Sequence, residues 1–267
     1  MGRVDRRRFL RDAGLVITAM HLEGWARPAE APTMSAVPET RPVEFLRLRL
    51  RTSRLAELRE FYSKVLELPV AAGSRDSLSV RAGATELLFV GLEGGGNPFY
   101  HFAFNIPENK LDASIEWMAD RAPLIPQPST GHHIFDYPNW NANSVYFYDP
   151  AGNILEFIAR HNLKNAAAGR FTSRDILSTS EIGMVVPEVP SAIAQLKAKL
   201  GIADYIGVSD GFAPIGNEHG LFIVVRSDRK WFGRIPPGIF PVEVRMRGGM
   251  AGNHSIAAGS FQIEVTE

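Results

Sequence analysis

The sequence contains no cysteine among its 267 residues. This absence excludes disulfide bonds, thiolate metal ligands, cysteine nucleophiles and cysteine-linked lipid anchors. A metal ion would therefore depend on histidine, carboxylate, amide, tyrosine or water ligands. The chain also lacks the Gly-Lys-Ser/Thr ending of a phosphate-binding loop, so a nucleotide-binding site of that type is not supported.

The chain also has no formal net charge, because 29 Lys and Arg residues balance 29 Asp and Glu residues. A balanced chain has no basic field to attract nucleic acid, and we expect no nucleic-acid partner. No apolar run reaches the roughly 18 residues that a membrane-spanning helix needs. Hydrophobic residues make up 45% of the chain and charged residues 22%. This composition favours a globular protein with one large domain or two small ones.

The N-terminus carries a basic segment followed by an apolar one. Residues 5–11 read D-R-R-R-F-L-R, residues 13–20 are mostly apolar, and Ala29-Glu30-Ala31 offers a small-x-small cleavage site. Residues 1–31 resemble a twin-arginine signal peptide. The resemblance implies export to the periplasm and no membrane contact after cleavage, whereas a basic tail without a targeting role is the alternative.

A β-α-β-β-β pattern recurs three times in the rest of the chain. In the first copy, Leu46, Leu48 and Leu50 alternate with arginines, as in a strand with one apolar face. The helices that follow the first strands are predicted at 53–66, 107–121 and 189–200. The strands are predicted at 45–50, 78–81, 85–90, 100–106, 144–148, 154–159, 181–186, 205–208, 212–215 and 221–225. Two further strands, at 242–246 and 261–265, suggest half of a fourth copy. The pattern predicts an α+β fold.

Two segments carry a resemblance to a known family: F-Y-S-K-V-L-E-L at 61–68 and Y-F-Y-D-P-A-G-N-I-L-E-F at 146–157. They resemble the vicinal oxygen chelate (VOC) superfamily of glyoxalases, bleomycin-resistance proteins and extradiol dioxygenases. The resemblance implies that the repeated modules form an open, bowl-shaped mixed sheet. It implies paired modules one and two over residues 44–160, and a third module with C-terminal strands over residues 180–267.

The same resemblance places His101 and Glu156 at the metal-ligand positions of the second copy. When the copies are aligned, Arg47 and Glu181 occupy the position of His101 in copies one and three. Only two ligands are then in place, and His132, His133 or Asp136 is a candidate third. One imidazole with one carboxylate favours Fe(II) or Mn(II) over Zn(II). In the alternative, His101 and Glu156 form a hydrogen-bonded pair in the wall of a metal-free bowl.

Three residues are candidates for binding substrate. Arg47 would face His101 across the bowl and bind an anionic oxygen. His133 lies in an aromatic and polar segment that could arch over the mouth of the bowl. Tyr148 shares one strand face with Tyr146, while Phe147 points the other way, and alternation alone leaves open which set faces inward.

Two functions remain open at this level. The first is a metal-dependent VOC-type enzyme that acts on a small molecule, either a ring-cleaving oxygenase, which we favour, or a glyoxalase-like lyase. The second is a metal-free protein that sequesters a small molecule, as bleomycin-resistance members do. Arg47 and Glu181 at would-be ligand positions favour the second function. A homodimer is one candidate assembly.

Overall fold

The structure, a computed structural model, describes residues 42–71, 74–92, 96–232 and 235–267. The predicted signal segment lies outside the described residues. These residues contain three α-helices, namely α1 (Leu55–Glu60), α2 (Leu111–Met118) and α3 (Val189–Leu200). The strands are β1 (Glu44–Thr52), β2 (Ser77–Ala82), β3 (Thr85–Gly91), β4 (His101–Ile106), β5 (Phe135–Tyr137), β6 (Ala142–Tyr148), β7 (Ile154–Arg160), β8 (Ser178–Val186), β9 (Phe212–Asn217), β10 (Gly220–Arg226), β11 (Val242–Arg247), β12 (Gly252–Ile256) and β13 (Phe261–Thr266).

Two curled mixed sheets hold these strands. The first has six strands in the order β12-β13-β11-β1-β3-β2, and the second has seven in the order β5-β6-β7-β4-β8-β10-β9. Within each of the three modules the first and last strands pair in parallel, namely β1 with β3, β4 with β7 and β8 with β10. A helix follows the first strand of each module. The α+β class and the repeated modules that form bowl-shaped mixed sheets are confirmed.

The pairing of the modules differs from the expectation. Strand β4 of module two pairs antiparallel with β8 of module three, while β1 of module one pairs antiparallel with β11 near the C-terminus. Modules one and two therefore lie in different sheets and do not form a shared bowl. The reason is that β11, β12 and β13 supply a fourth set of strands, so that module one has a partner of its own.

Each α-helix lies within its predicted range. Helix α3 begins and ends as predicted, and Gly201, at φ 67°, stops it in the left-handed conformation that glycine adopts without strain. Helix α1 continues into a π-helical turn at Phe61–Val65, which buries Phe61 and Tyr62. Helix α2 is shorter than predicted. No helix in the described part of the chain is long and apolar enough to cross a membrane.

The turn at 149–153, which joins β6 to β7, is held by a buried carboxylate. Asp149 Oδ1 accepts hydrogen bonds from the backbone N–H groups of Ala151 and Asn153, at 2.9 and 3.0 Å. Its Oδ2 accepts from the hydroxyl of Tyr62, at 3.0 Å. Burial raises the pKa of Asp149 to about 6. The turn thus fixes the start of β7, which carries Glu156, and ties module two to module one.

Candidate metal centre and cavity

Three ionisable side chains meet on one face of the seven-stranded sheet. Ala103 of β4 lies between Glu156 of β7 and Glu181 of β8 in the strand register. His101 precedes Ala103 by two residues, so its side chain shares that face. The small Ala103 side chain leaves room between the two carboxylates. The sheet register therefore brings together one imidazole and two carboxylates from three neighbouring strands.

The distances within this cluster are short. His101 Nε2 lies 3.6 Å from Glu156 Oε2 and 3.8 Å from Glu181 Oε2. One ligand atom from each residue lies within 4.8 Å of the others, and all three residues are buried. His101 Nδ1 lies 3.1 Å from the carbonyl oxygen of Ile154. Because a carbonyl can only accept, Nδ1 carries a proton, and Nε2 faces the carboxylates.

Arg160 holds the outer oxygen of Glu181. Its side chain is completely buried, and its Nη2 donates to Glu181 Oε1 while its Nε donates to Asn105 Oδ1 at 3.1 Å. Arg160 follows Glu156 by four residues on β7, so the two side chains share a face. The guanidinium also lies 5.7 Å from the centre of the Trp140 ring. Glu181 is thus left with one oxygen, Oε2, that points toward His101.

The two carboxylates have opposite pKa shifts. Burial, with repulsion from Glu181, raises the pKa of Glu156 to about 8. Burial also opposes ionisation of Glu181, but the nearby imidazole of His101 and the charge of Arg160 outweigh it, and the pKa of Glu181 falls. Burial would lower the pKa of His101, yet the carboxylates of Glu181 and Glu156 raise it above its ordinary value. Without a cation, the cluster binds protons in its place.

A cavity of about 490 Å³ opens over the cluster. Its walls are mainly aromatic and aliphatic, its floor is the ionisable cluster, and two basic residues also line it. The lining includes Phe135, Tyr137, Trp140, Tyr146, Ile154, Ile223, Phe212, Arg229, Lys230, Trp231 and Phe232. The ring of Trp231 lies 5.1 Å from the ring of His101. A cavity of this size and composition suits a small molecule with a large apolar part.

Two tyrosine hydroxyls meet inside the cavity. Tyr137 and Tyr146 have their hydroxyl oxygens 2.7 Å apart. Burial, followed by the charge of Glu156, raises the pKa of both phenols, so both stay protonated near neutral pH. Tyr146 faces the cavity and Phe147 packs in the hydrophobic core, which answers the question that alternation left open.

The three predicted substrate-binding residues lie away from this cavity. Arg47 sits on the six-stranded sheet, pairs with Glu86 at 2.6 Å, and lines a separate cavity of about 210 Å³. The expectation that Arg47 faces His101 is therefore wrong, because module one pairs with the C-terminal strands. His133 is exposed and lines an open cavity of about 830 Å³. Tyr148, at the end of β6, is 40% exposed.

Sequence reasoning missed Glu181 as the third member of the cluster. The alignment of the copies had put Glu181 at the position of His101, and this equivalence was the available signal. The predicted pairing of modules one and two leaves Glu181 outside the metal site, whereas the observed pairing of β4 with β8 brings it in. His132, His133 and Asp136 lie in an exposed segment and are not part of the cluster.

No protein-family model matches the chain, and no curated protein matches it either. Solved structures do match. A Bacillus subtilis protein described provisionally as a dioxygenase is 13% identical, with a TM-score of 0.56 over 83% of this chain and 84% of that chain. Glyoxalase I from Zea mays is 10% identical over 84% of this chain and 92% of that chain, with a TM-score of 0.49. A glyoxalase/bleomycin resistance protein/dioxygenase from Nocardioides is 20% identical over 50% of this chain and 90% of that chain, with a TM-score of 0.36.

The first of these structures covers most of both chains, and its likeness shows the fold. The chain has the vicinal oxygen chelate fold, with two curled mixed sheets built from repeated modules. Its structural neighbours are glyoxalase-, dioxygenase- and bleomycin-resistance-type proteins.

Proposed function

We propose that the protein is a metal-dependent VOC-type enzyme that acts on a small molecule, with His101, Glu156 and Glu181 as the metal ligands. The observation that carries the proposal is the convergence of these three buried donor groups at the floor of the 490 Å³ cavity. The donor set suits a divalent cation, since two buried carboxylates beside one imidazole need positive charge to offset them.

The oxygen-rich donor set favours Fe(II) or Mn(II) over Zn(II). Carboxylates suit hard cations, and one nitrogen with two oxygens resembles the three-ligand sets that leave open positions for substrate. A bound divalent ion would supply Lewis-acid polarisation of two neighbouring substrate oxygens. Arg160 would keep Glu181 ionised and leave it one oxygen for the ion. The Nδ1–H donation to Ile154 would keep His101 Nε2 available.

Other cavity residues would position the substrate and exchange protons with it. The protonated hydroxyls of Tyr137 and Tyr146 can donate a hydrogen bond to a substrate oxygen above Glu156. Glu156, at the floor of the cavity and with a pKa of about 8 in the metal-free protein, could exchange a proton with a bound substrate. The Trp231, Phe135 and Phe232 side chains would exclude water and pack on an apolar substrate.

Within the enzyme class, we favour an oxygenase, ring-cleaving or related, over a glyoxalase-like lyase. Three protein donors leave more open positions than a four-donor site does, and an oxygenase needs room for both the substrate and dioxygen. The test is anaerobic reconstitution with Fe(II), Mn(II) or Zn(II), followed by oxygen uptake with aromatic vicinal diols and by isomerisation of a thiol–ketoaldehyde adduct. Oxygen uptake that depends on Fe(II) or Mn(II) supports an oxygenase. Isomerisation without oxygen uptake overturns this choice and leaves the metal site in place.

A metal-free sequestering protein is the second candidate. The observation that favours it is the Arg160–Glu181 ion pair, which neutralises one carboxylate without any metal. In that case His101 and Glu156 would form a hydrogen-bonded pair in the wall, 3.6 Å apart in this structure. Two results together would support this candidate: the parent protein takes up none of the three metals, and the His101→Ala variant binds small molecules with the same affinity as the parent.

A further inference from the structure

The cavity carries opposite charges at its two ends. Glu156 and Glu181 are buried at the floor, whereas Arg229 and Lys230 line the same cavity and are exposed. The exposed residues therefore mark the mouth. The guanidinium of Arg229 lies over the ring of Phe212, 4.8 Å from its centre. This contact holds the cation beside the aromatic wall instead of releasing it to solvent.

Neither of the two cations at the mouth is paired with a carboxylate of the described residues. Within the parts of the chain that the structure describes, neither Arg229 nor Lys230 forms an ion pair, although Arg226, three residues before Arg229, pairs with Asp228 at 2.6 Å. Arg47 and Arg245 on the other sheet also pair with carboxylates. Two unpaired cations at the entrance of a largely apolar cavity create a local positive potential.

The segment that carries these cations is anchored. Trp231 follows Lys230 directly, and its ring packs on His101 with a centre-to-centre distance of 5.1 Å. The backbone N–H of Trp231 donates to the carbonyl of Ile235 at 2.8 Å, and the N–H of Ile235 donates back at 3.0 Å. The distance between the mouth and the floor is therefore set by packed residues, which is what orienting a ligand at both ends requires.

We propose that Arg229 and Lys230 form an anion subsite that selects an apolar or aromatic ligand with an acidic group at one end and two neighbouring oxygens at the other. This inference rests on the proposed function, because the oxygen pair is expected at the His101, Glu156 and Glu181 cluster. The acidic group is repelled by the carboxylates at the floor and attracted by the cations at the mouth, so only one orientation of the ligand is favourable.

The test uses 3,4-dihydroxybenzoate and 3,4-dihydroxybenzamide, which share the ring and the oxygen pair but differ in charge. Their dissociation constants are measured by calorimetry on two samples, Zn(II)-treated protein and metal-free protein. Zn(II) is used because it is redox-inactive and does not oxidise the probes. The variants are Arg229→Gln with Lys230→Gln, the charge-reversed pair Arg229→Glu with Lys230→Glu, and Arg226→Gln as a matched surface control.

The parent and the Arg226→Gln control should bind the acid about tenfold more tightly than the amide, since each exposed charge pair contributes roughly a two- to fivefold gain. The double Gln variant should bring the ratio to about one without weakening the amide, and the double Glu variant should reverse it. Equal affinities in the parent, a ratio that survives in the double Gln variant, or no binding of either probe overturns the subsite.

Failure of the subsite and failure of the metal site give different results. Loss of metal uptake with a retained charge preference in metal-free protein overturns the proposed function and leaves the subsite standing. Normal metal uptake with no charge preference overturns the subsite and leaves the proposed function standing. A double Gln variant that loses the acid and the amide equally would show that the cations act through the structure of the mouth, and this too overturns the subsite.

Discussion

Arg160 and Glu181 form a buried ion pair beside the candidate metal centre, and the pair divides the two oxygens of Glu181 between two tasks. One oxygen accepts from the guanidinium and the other lies 3.8 Å from His101 Nε2. The pair comes from different modules, β7 of module two and β8 of module three, so the pairing of these modules completes the site.

Arg160→Met should destabilise the protein by about 3–5 kcal/mol, because removing one partner leaves the other charge buried without compensation. Urea unfolding of the metal-free protein measures this change. Arg245→Met is the control. Arg245 lies 3.3 Å from Glu264 and both side chains are about half exposed, so this change should cost less than about 1 kcal/mol. Equal costs for the two variants would contradict a special role for Arg160.

The metal-free protein should lose stability as the pH rises from about 4.5 to about 8. The pKa of Glu156 is raised from its ordinary value to about 8 in the folded state, so the folded protein holds a proton that the unfolded chain has released. Each pH unit in this window costs at most about 1.4 kcal/mol for one such group. The raised pKa values of Asp149 and His101 act in the same direction. Thermal unfolding between these pH values measures the effect.

Glu156→Gln is the matched variant for this pH dependence. A neutral amide removes the contribution of Glu156, so the slope of stability against pH should become smaller. Saturation of the parent with a divalent cation should have the same effect, because the cation replaces the proton. A slope that is identical in the parent and in Glu156→Gln would contradict the assignment of the raised pKa to Glu156.

Arg47→Ala should leave ligand binding in the 490 Å³ cavity unchanged within about twofold, since Arg47 lines a different cavity and its partially exposed pair with Glu86 contributes little. The dissociation constant of 3,4-dihydroxybenzoate measures this directly. A large loss of affinity would restore the sequence-based expectation that Arg47 binds substrate.

Export by the twin-arginine route stays a prediction. If it is correct, the exported protein starts near Pro32, and replacing Arg6 and Arg7 by Lys should leave the precursor inside the cell. Intact-mass measurement of the periplasmic fraction tests this. A periplasmic form that still starts at Met1 or Gly2, or export that is unchanged in the Lys variant, would contradict it.

Much of the fold follows from local signals in the sequence. Period-two alternation located β1, and the recurring β-α-β-β-β pattern located α3 and the strands β6 and β7. Strand β12 was missed because Gly252–Ile256 is largely exposed and has no apolar alternation. Residues 205–208 are predicted as a strand but form none, and the isolated bridges nearby involve the flanking residues Asp204 and Ser209.

The site was only half predictable for a different reason. His101 and Glu156 lie in one module, so a motif within that module identifies them. Glu181 joins them only through the antiparallel pairing of β4 with β8, and nothing local to residue 181 specifies its partner strand. The strands after residue 241 pair with module one. Module two is then free to pair with module three, which brings Glu181 to the site.

Metal binding by Glu181 is the most direct test of the account. Anaerobic titration of the metal-free protein with Fe(II) or Mn(II), with bound metal counted by elemental analysis, should give about one ion per chain. Glu181→Gln should then weaken binding at least as much as the roughly 10–100-fold loss that removing a supporting residue causes, as should His101→Ala, whereas Glu264→Gln on the surface should bind like the parent. A parent that binds no metal, or Glu181→Gln with parental affinity, would contradict the metal centre proposed here.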